Sequence, residues 1–144
     1  MSTSKPSRLA SPIAERRLTV VGEPDREIII RVGKPRRDPD PSGDWMCPYV
    51  VEGLPGARRR YAHGIDSLQA LQMAIEAARA AIIESGLACR YAGGEAGDIG
   101  IPRTIPVFGG AGRDFAPRME RSLDRELKRL ATKVKKRTPR RGPG

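Results

Sequence analysis

Two segments near the start of the chain alternate apolar and polar residues, as half-buried β-strands do. Arg16–Val21 and Arg26–Val32 are rich in β-branched residues, and a short stretch containing glycine and proline separates them. In the second segment Ile28, Ile30 and Val32 fall on one face. The pattern predicts a β-hairpin with one buried face.

Two further strands are predicted beyond a loop. Residues 33–43 carry three prolines among alternating charges, so we expect no strand there. Within Asp44–Glu52, Pro48 faces away from the apolar side and indicates an edge strand or a bulge. Arg58–His63 predicts a short, half-solvated fourth strand. The apolar face of the third strand consists of Trp45, Cys47, Tyr49 and Val51.

The periodicity becomes helical at Asp66. Asp66 and Gln69 have the spacing of a capping box, and Gly86 suits the left-handed position that ends a helix. A helix over residues 67–85 is about 28 Å long, enough to cover one face of a four-stranded antiparallel sheet. Its predicted buried stripe is Leu68, Leu71, Ile75, Ala78 and Ile82.

The rest of the chain predicts a loop and a second helix. Leu87–Tyr91 is expected to be a short extended piece, and the four glycines within residues 93–100 indicate a loop. Thr104–Phe108 is apolar and predicted to be extended. We expect the second helix to begin at Asp114 with Pro117 in its first turn. Its apolar positions are Phe115, Met119, Leu123, Leu127, Leu130 and Val134.

These patterns together predict an α+β fold. A four-stranded antiparallel meander packs against one long helix and is followed by a C-terminal helix and a basic tail. We expect a disordered segment over residues 1–14, a single α+β domain over 15–127, and a basic tail over 128–144 that ends a helix and then becomes disordered.

The net charge of +10 is concentrated in the tail. Residues 128–144 contain eight basic residues and no acidic one, whereas residues 1–127 contain 19 basic and 17 acidic residues. Unopposed cations attract phosphate regardless of base sequence, so the tail is a candidate for contact with DNA or RNA, and simple solvation stays open as the alternative. The candidate contacts are Lys128, Arg129, Lys133, Lys135, Lys136, Arg137, Arg140 and Arg141.

Composition also restricts the location of the protein. No apolar run approaches the roughly 20 residues that span a bilayer, and the first residues lack the apolar centre of a secretory signal. Cys47 and Cys89 are too few for a disulfide framework and too isolated for a zinc site. We therefore expect a cytoplasmic protein with two reduced thiols, no membrane contact and no cofactor.

Few residues are candidates for chemistry. Cys47 with His63 on the next strand could form a thiol nucleophile, but a cysteine among apolar neighbours more often packs in the core, and His63 is expected to bond near the helix start. Glu95 and Asp98 could bind a cation or, as we favour, cap backbone amides. An enzyme would have to bring Glu95, Asp98 and His63 into one pocket.

Three motifs resemble an uncharacterised family of short bacterial proteins, catalogued as domains of unknown function. They are residues 44–54, the Gly64–Gln72 segment G-I-D-S-L-Q-A-L-Q, and the Gly93–Pro102 segment G-G-E-x-G-D-x-G-I-P. The likeness covers about residues 15–127. It implies one compact domain from a bacterial cytosol and no reaction.

The absence of a catalytic constellation favours a non-enzymatic binding module of the immunity or adaptor type, with another protein as the partner. The glycine-rich loop and the second helix are expected to form the partner-facing side, with Gly93, Gly94, Glu95 and Asp98 in the loop. The alternative is a nucleic-acid-associated protein that binds phosphate through its tail. Both hypotheses assume that charge is segregated from the folded body. A continuous cationic groove would contradict this if it were formed by Arg16, Arg31, Arg58, Arg60 and Arg90.

Overall fold

The structure, a computed structural model, describes residues 9–40, 43–104 and 109–137. The chain divides into two compact units, residues 1–104 and residues 105–144. The predicted single domain over 15–127 spans this division. The second unit contains α2 (Gly109–Arg137). The first unit contains β1 (Pro12–Val20), β2 (Glu23–Gly33), β3 (Arg36–Arg37), β4 (Trp45–Glu52), β5 (Arg60–Gly64), α1 (Ser67–Glu84) and β6 (Cys89–Arg90).

The first unit is an antiparallel sheet with α1 packed on one face. The four predicted strands are β1, β2, β4 and β5, and they pair in chain order as a meander. Two short strands extend it, because β3 pairs with β4 and β6 pairs with the outer side of β1. The predicted α+β class is confirmed, with six strands among the described residues.

Strand register places the apolar faces of the meander on one side. Leu18 lies opposite Ile28, and Val32 lies opposite Tyr49. Because side chains alternate along a strand, this register directs the apolar set towards α1. The strand residues buried there are Leu18, Val20, Ile28, Ile30, Val32, Cys47, Tyr49, Val51 and Cys89.

The predicted stripe of α1 packs on the core except at Leu68: Ala78 and Ile82 are buried, and Leu71 and Ile75 are partly buried against the core cluster. Ala70, Ala74 and Ala78 are fully buried, whereas Leu68 is 62% exposed. The cause is the close contact at the start of the helix, where a Cβ on Gly64 would lie only 2.4 Å from the amide nitrogen of Ala70. This contact fixes the rotation of α1, and Leu68, two residues before Ala70, points about 200° away from the sheet.

The ends of α1 follow their predicted signals. The amide of Gln69 donates to Asp66 Oδ1 at 2.7 Å, and the side-chain oxygen of Gln69 accepts from the amide of Ile65 at 2.7 Å. The capping box is therefore closed one residue earlier than its usual form. Gly86 has φ of 73°, as predicted for the residue that ends the helix.

The predicted loop over residues 33–43 contains a strand after all. β3 pairs with the first half of β4, while β2 pairs with its second half. Between these pairings Gly33, Lys34 and Pro35 face only Cys47 and Pro48, which is the one-residue excess of a β-bulge. The extra residue lies in the segment that faces Pro48 rather than in β4, and β4 is an interior strand rather than an edge.

α2 begins earlier than predicted. It starts at Gly109 instead of Asp114, and Pro117 consequently lies inside the helix rather than in its first turn. An interior proline removes one backbone hydrogen bond and its ring clashes with the carbonyl four residues earlier, so Pro117 is an unfavourable residue within α2. None of the helices described has the length and apolar character needed to cross a membrane.

Several of the predicted segments lie wholly or partly outside the residues that the structure describes. The extended segment at 105–108, the disordered end at 138–144 and most of the N-terminal segment 1–14 lie outside the described residues. Within that last segment the strand β1 already begins at Pro12.

Candidate functional site

The glycine-rich loop is held together by its own hydrogen bonds. The amide of Tyr91 donates to the carbonyl of Asp98 at 2.9 Å, and Asp98 Oδ1 accepts from the amide of Gly100 at 3.0 Å. Asp98 thus caps a backbone amide, as the sequence favoured. The Glu95 side chain makes no hydrogen bond with the part of the chain that is described. Gly93, Glu95 and Asp98 are exposed, and their role as a partner-facing loop stays a prediction.

One arginine attaches this loop to the sheet. Arg16 of β1 donates from Nη1 to the carbonyl of Ile99 at 3.3 Å and to that of Gly100. Its guanidinium also lies over the Tyr91 ring. The loop therefore has a fixed position against β1.

The two cysteines lie in the core. Both are free and buried, which agrees with the predicted reduced state. Burial raises the pKa of the Cys47 thiol to about 11, so the thiol stays protonated at neutral pH. The Cys47 thiol donates to the carbonyl of Gly33 at 3.4 Å. These features are typical of a packing residue.

His63 does not bond at the helix start as predicted. It lies opposite Met46, on the sheet face away from α1 and thus on the opposite face from Cys47. Its Nε2 is 3.2 Å from Asp38 Oδ2. A Cys47–His63 nucleophile is excluded by this geometry.

The candidate acid–base residues are far apart. His63 is on β5, at one edge of the sheet, whereas Glu95 and Asp98 follow β6, at the other edge. Four interstrand spacings separate those edges, about 19 Å. The three side chains therefore do not form one pocket. In residues 9–40, 43–104 and 109–137 no group of three or more His, Cys, Asp or Glu side chains could hold a metal ion.

The five arginines named above, from Arg16 to Arg90, do not form one continuous cationic groove. Arg31 lies on the sheet face away from α1, where Glu15 accepts from it at 3.1 Å and Glu52 forms a second ion pair. The hydrogen bond from Arg31 lowers the pKa of Glu15. Arg16 lies on the opposite face, towards α1. Arg16 and Arg31 therefore cannot belong to one groove, and the groove that would contradict charge segregation is not formed by this set.

The apolar stripe of α2 is exposed. Its six side chains keep between 40% and 65% of their surface accessible. They repeat at intervals of three or four residues, so they share one side of the helix. The stripe consists of Phe115, Met119, Leu123, Leu127, Leu130 and Val134.

The candidate nucleic-acid contacts lie mostly on this same helix. Six of the eight, from Lys128 to Arg137, belong to its last ten residues, which contain no acidic residue. Arg140 and Arg141 lie outside the described residues. The tail therefore begins as a cationic helix end.

Sequence reasoning missed a cleft in the first unit. It has a volume of about 500 Å³ and lies between the end of α1, β4 and the segment leading to β5. Tyr49, Arg58 and Arg60 line it on the sheet side, and Glu84 lines it on the helix side. The sequence carried no signal for it, because the cleft depends on the register of β5, which places Arg60 opposite Tyr49 on the face towards α1.

The fold defines a small α+β domain in which one helix covers an antiparallel sheet. Residues 14–103 match the family described as Domain of unknown function (DUF6968), and the chain belongs to that family. The resemblance to a domain of unknown function is confirmed. The chain has no match among curated proteins or among solved structures.

The net charge lies outside the part of the chain that matches the family. The three recognised motifs all lie within residues 14–103, whereas α2 lies beyond them. Residues 14–103 contain 13 basic and 13 acidic residues. The family domain is thus formally neutral, and the whole net charge of +10 comes from the flanking segments.

Proposed function

We propose that the protein is a non-enzymatic binding module and that α2 is the element that contacts a partner protein. The observation that carries this proposal is the exposed apolar stripe from Phe115 to Val134. Exposed apolar patches of this kind mark interaction surfaces, because burying them against a partner removes apolar area from water.

The length of α2 suits an interface. A helix of 29 residues is about 43 Å long, and one face of it can approach the roughly 800 Å² that each side of a stable interface contributes. An amphipathic helix laid in an apolar groove is a common mode of protein recognition, with anchors at spacings of three and four.

Charge specifies the kind of groove. Residues 109–127 contain four basic and four acidic residues, whereas residues 128–137 contain six basic and none acidic. A complementary partner therefore has an apolar groove whose rim is acidic only where it receives the last three turns of α2. Such complementarity raises the association rate and selects the orientation of the helix.

Copurification tests this proposal. The full chain is recovered from its native cells beside a variant carrying Leu123→Gln and Leu130→Gln, and any bound protein is identified and then titrated as a purified component. We expect binding to the wild type and a large loss in the variant. A control with a glutamine outside the stripe, Thr132→Gln, should bind normally. A chain recovered alone at every salt concentration contradicts the proposal.

The cationic end of α2 supports a second candidate function, nonspecific binding to a phosphate backbone. Its six basic residues, unopposed by any acid, favour association with DNA or RNA that weakens steeply as salt rises. Phe115 is the single aromatic residue of α2, so base stacking does not support sequence recognition.

Fluorescence anisotropy with labelled DNA and RNA tests this second candidate. Removing residues 128–144 should abolish binding, and the stripe variant should retain it. Unchanged binding after the deletion would exclude the tail.

A further inference from the structure

The cleft at the end of α1 has the size of a small-molecule site. Its volume of about 500 Å³ falls within the range of roughly 300–1,000 Å³ that ligand pockets occupy. All of its lining residues belong to the first unit and to the family domain.

Small side chains keep this cleft open. Ala77, Ala80 and Ala81 face it from α1, where longer side chains would fill the space. Tyr49 and Val51 form its floor and are themselves buried. The floor and the helix side thus offer an apolar surface to a ligand.

Polar groups converge on the cleft without pairing with each other. Tyr49, Arg58, Arg60 and Glu84 line it, yet their side chains form no ion pair or hydrogen bond with the residues that the structure describes. Several other arginines of the same unit are ion-paired with glutamate, namely Arg17, Arg26, Arg31 and Arg79. The unpaired guanidinium groups leave donors that a bound anion can use.

The balance of charge limits the ligand. Two guanidinium groups against one carboxylate leave the cleft with a formal charge of +1. Glu84 and the C-terminal end of α1 make the helix side of the cleft negative, which directs an anionic group towards Arg60 on β5. A single negative charge is accommodated better than the double charge of a phosphate monoester.

We propose that this cleft binds a small organic carboxylate, with its apolar body against the alanines of α1 and Tyr49 and its carboxylate on Arg58 and Arg60. The guanidinium of Arg60 and the hydroxyl of Tyr49 come from directly opposed positions on β5 and β4. They can therefore donate to the same carboxylate.

Amide chemical shifts of the full chain test this site. Benzoate and hexanoate are titrated as probes, with the uncharged benzamide and hexanamide and the doubly charged phenyl phosphate as comparisons. The carboxylates should cause saturable shifts at Gly56, Ala77, Ala80 and Ala81, and the amides and the phosphate should bind more weakly. Equal shifts from the amides, or no saturable shift from either carboxylate, would overturn the proposal.

Variants separate recognition from folding. Arg60→Gln should weaken carboxylate binding by about tenfold or more, since it removes a charged donor. Arg59→Gln changes the same segment at a position that does not line the cleft, and binding should be retained. Ala80→Leu should fill the cleft and abolish binding while the helical circular dichroism persists. Unchanged affinity in both Arg60→Gln and Ala80→Leu would refute the site.

Discussion

The guanidinium carbon of Arg16 lies 4.1 Å from the centroid of the Tyr91 ring. The contact joins the face of β1 that is directed towards α1 to the loop that follows β6. Arg16 and Tyr91 are 75 positions apart in the chain. A Cβ on Gly100 would lie 2.7 Å from the same ring, so glycine is needed for the loop to close over it. The loop is thus positioned by a side chain of the sheet.

Replacing Arg16 should loosen the loop without unfolding the sheet. Arg16→Ala removes the ring contact and the hydrogen bonds to Ile99 and Gly100, and we expect a loss of about 1 kcal/mol in the free energy of unfolding. Hydrogen exchange should accelerate at the amides of Gly94 and Gly100. Arg17→Ala, on the opposite face, is the control and should leave this exchange unchanged.

The rotation of α1 can be tested with two alanine variants. Ile82 is 2% exposed, so Ile82→Ala should reduce the free energy of unfolding by about 2–5 kcal/mol through lost burial and a cavity. Leu68 is mostly exposed, and Leu68→Ala should cost less than about 0.5 kcal/mol. Urea denaturation measures both. Similar losses in the two variants would contradict the observed helix face.

Low pH should weaken the hydrogen bond that attaches Thr104 to Glu76 of α1. Glu76 accepts hydrogen bonds from Arg79 at 2.9 Å and from the amide of Thr104 at 3.0 Å. The hydrogen bond from Arg79 lowers the pKa of Glu76 below its usual 4.5. A lowered pKa in the folded state stabilises the protein above about pH 4.5, and this contribution is lost as pH falls through the folded value.

Glu76→Gln is the matched variant for this pH dependence. It should be less stable than the wild type at neutral pH, and the two unfolding free energies should converge in acid. A constant difference across the acid range would show that the Glu76 carboxylate is not responsible.

The Cys47 thiol should resist modification in the folded protein. Its pKa of about 11 leaves almost no thiolate at pH 8, and the side chain is fully buried. Titration with a chromogenic disulfide reagent should therefore be slow until denaturant is added. Rapid native labelling at Cys47, identified by mass spectrometry, would contradict this placement. The Cys89→Ser variant leaves Cys47 as the single thiol, so that labelling can be assigned to it.

Local signals in the sequence predicted most of the first unit. Alternation located the four main strands, and the Asp66 and Gly86 caps located α1, because these features depend on nearest neighbours in the chain. Most of the buried face of α1 was predicted as well, but Leu68 was wrongly included, because the start of the helix is placed by Gly64 meeting Ala70, a packing contact that hydrophobicity does not encode. β3 was missed for a related reason, since its pairing depends on β4.

The candidate sites were predicted less completely. The exposed stripe of α2 was visible as a periodicity, although its lack of burial was not. The cleft could not be predicted from the sequence, because it is lined by Tyr49, Arg60 and Glu84, which come from three different elements. Only the strand register and the packing of α1 bring them together.

The formal neutrality of residues 14–103 has a consequence for the behaviour of the protein at high concentration. Copies of the chain repel each other at neutral pH through the charges of their flanking segments, since the family domain contributes no net charge. A version trimmed to residues 14–103 would be close to its isoelectric point at neutral pH and therefore prone to precipitate, however well it is folded. The cationic ends thus provide colloidal stability in addition to any binding.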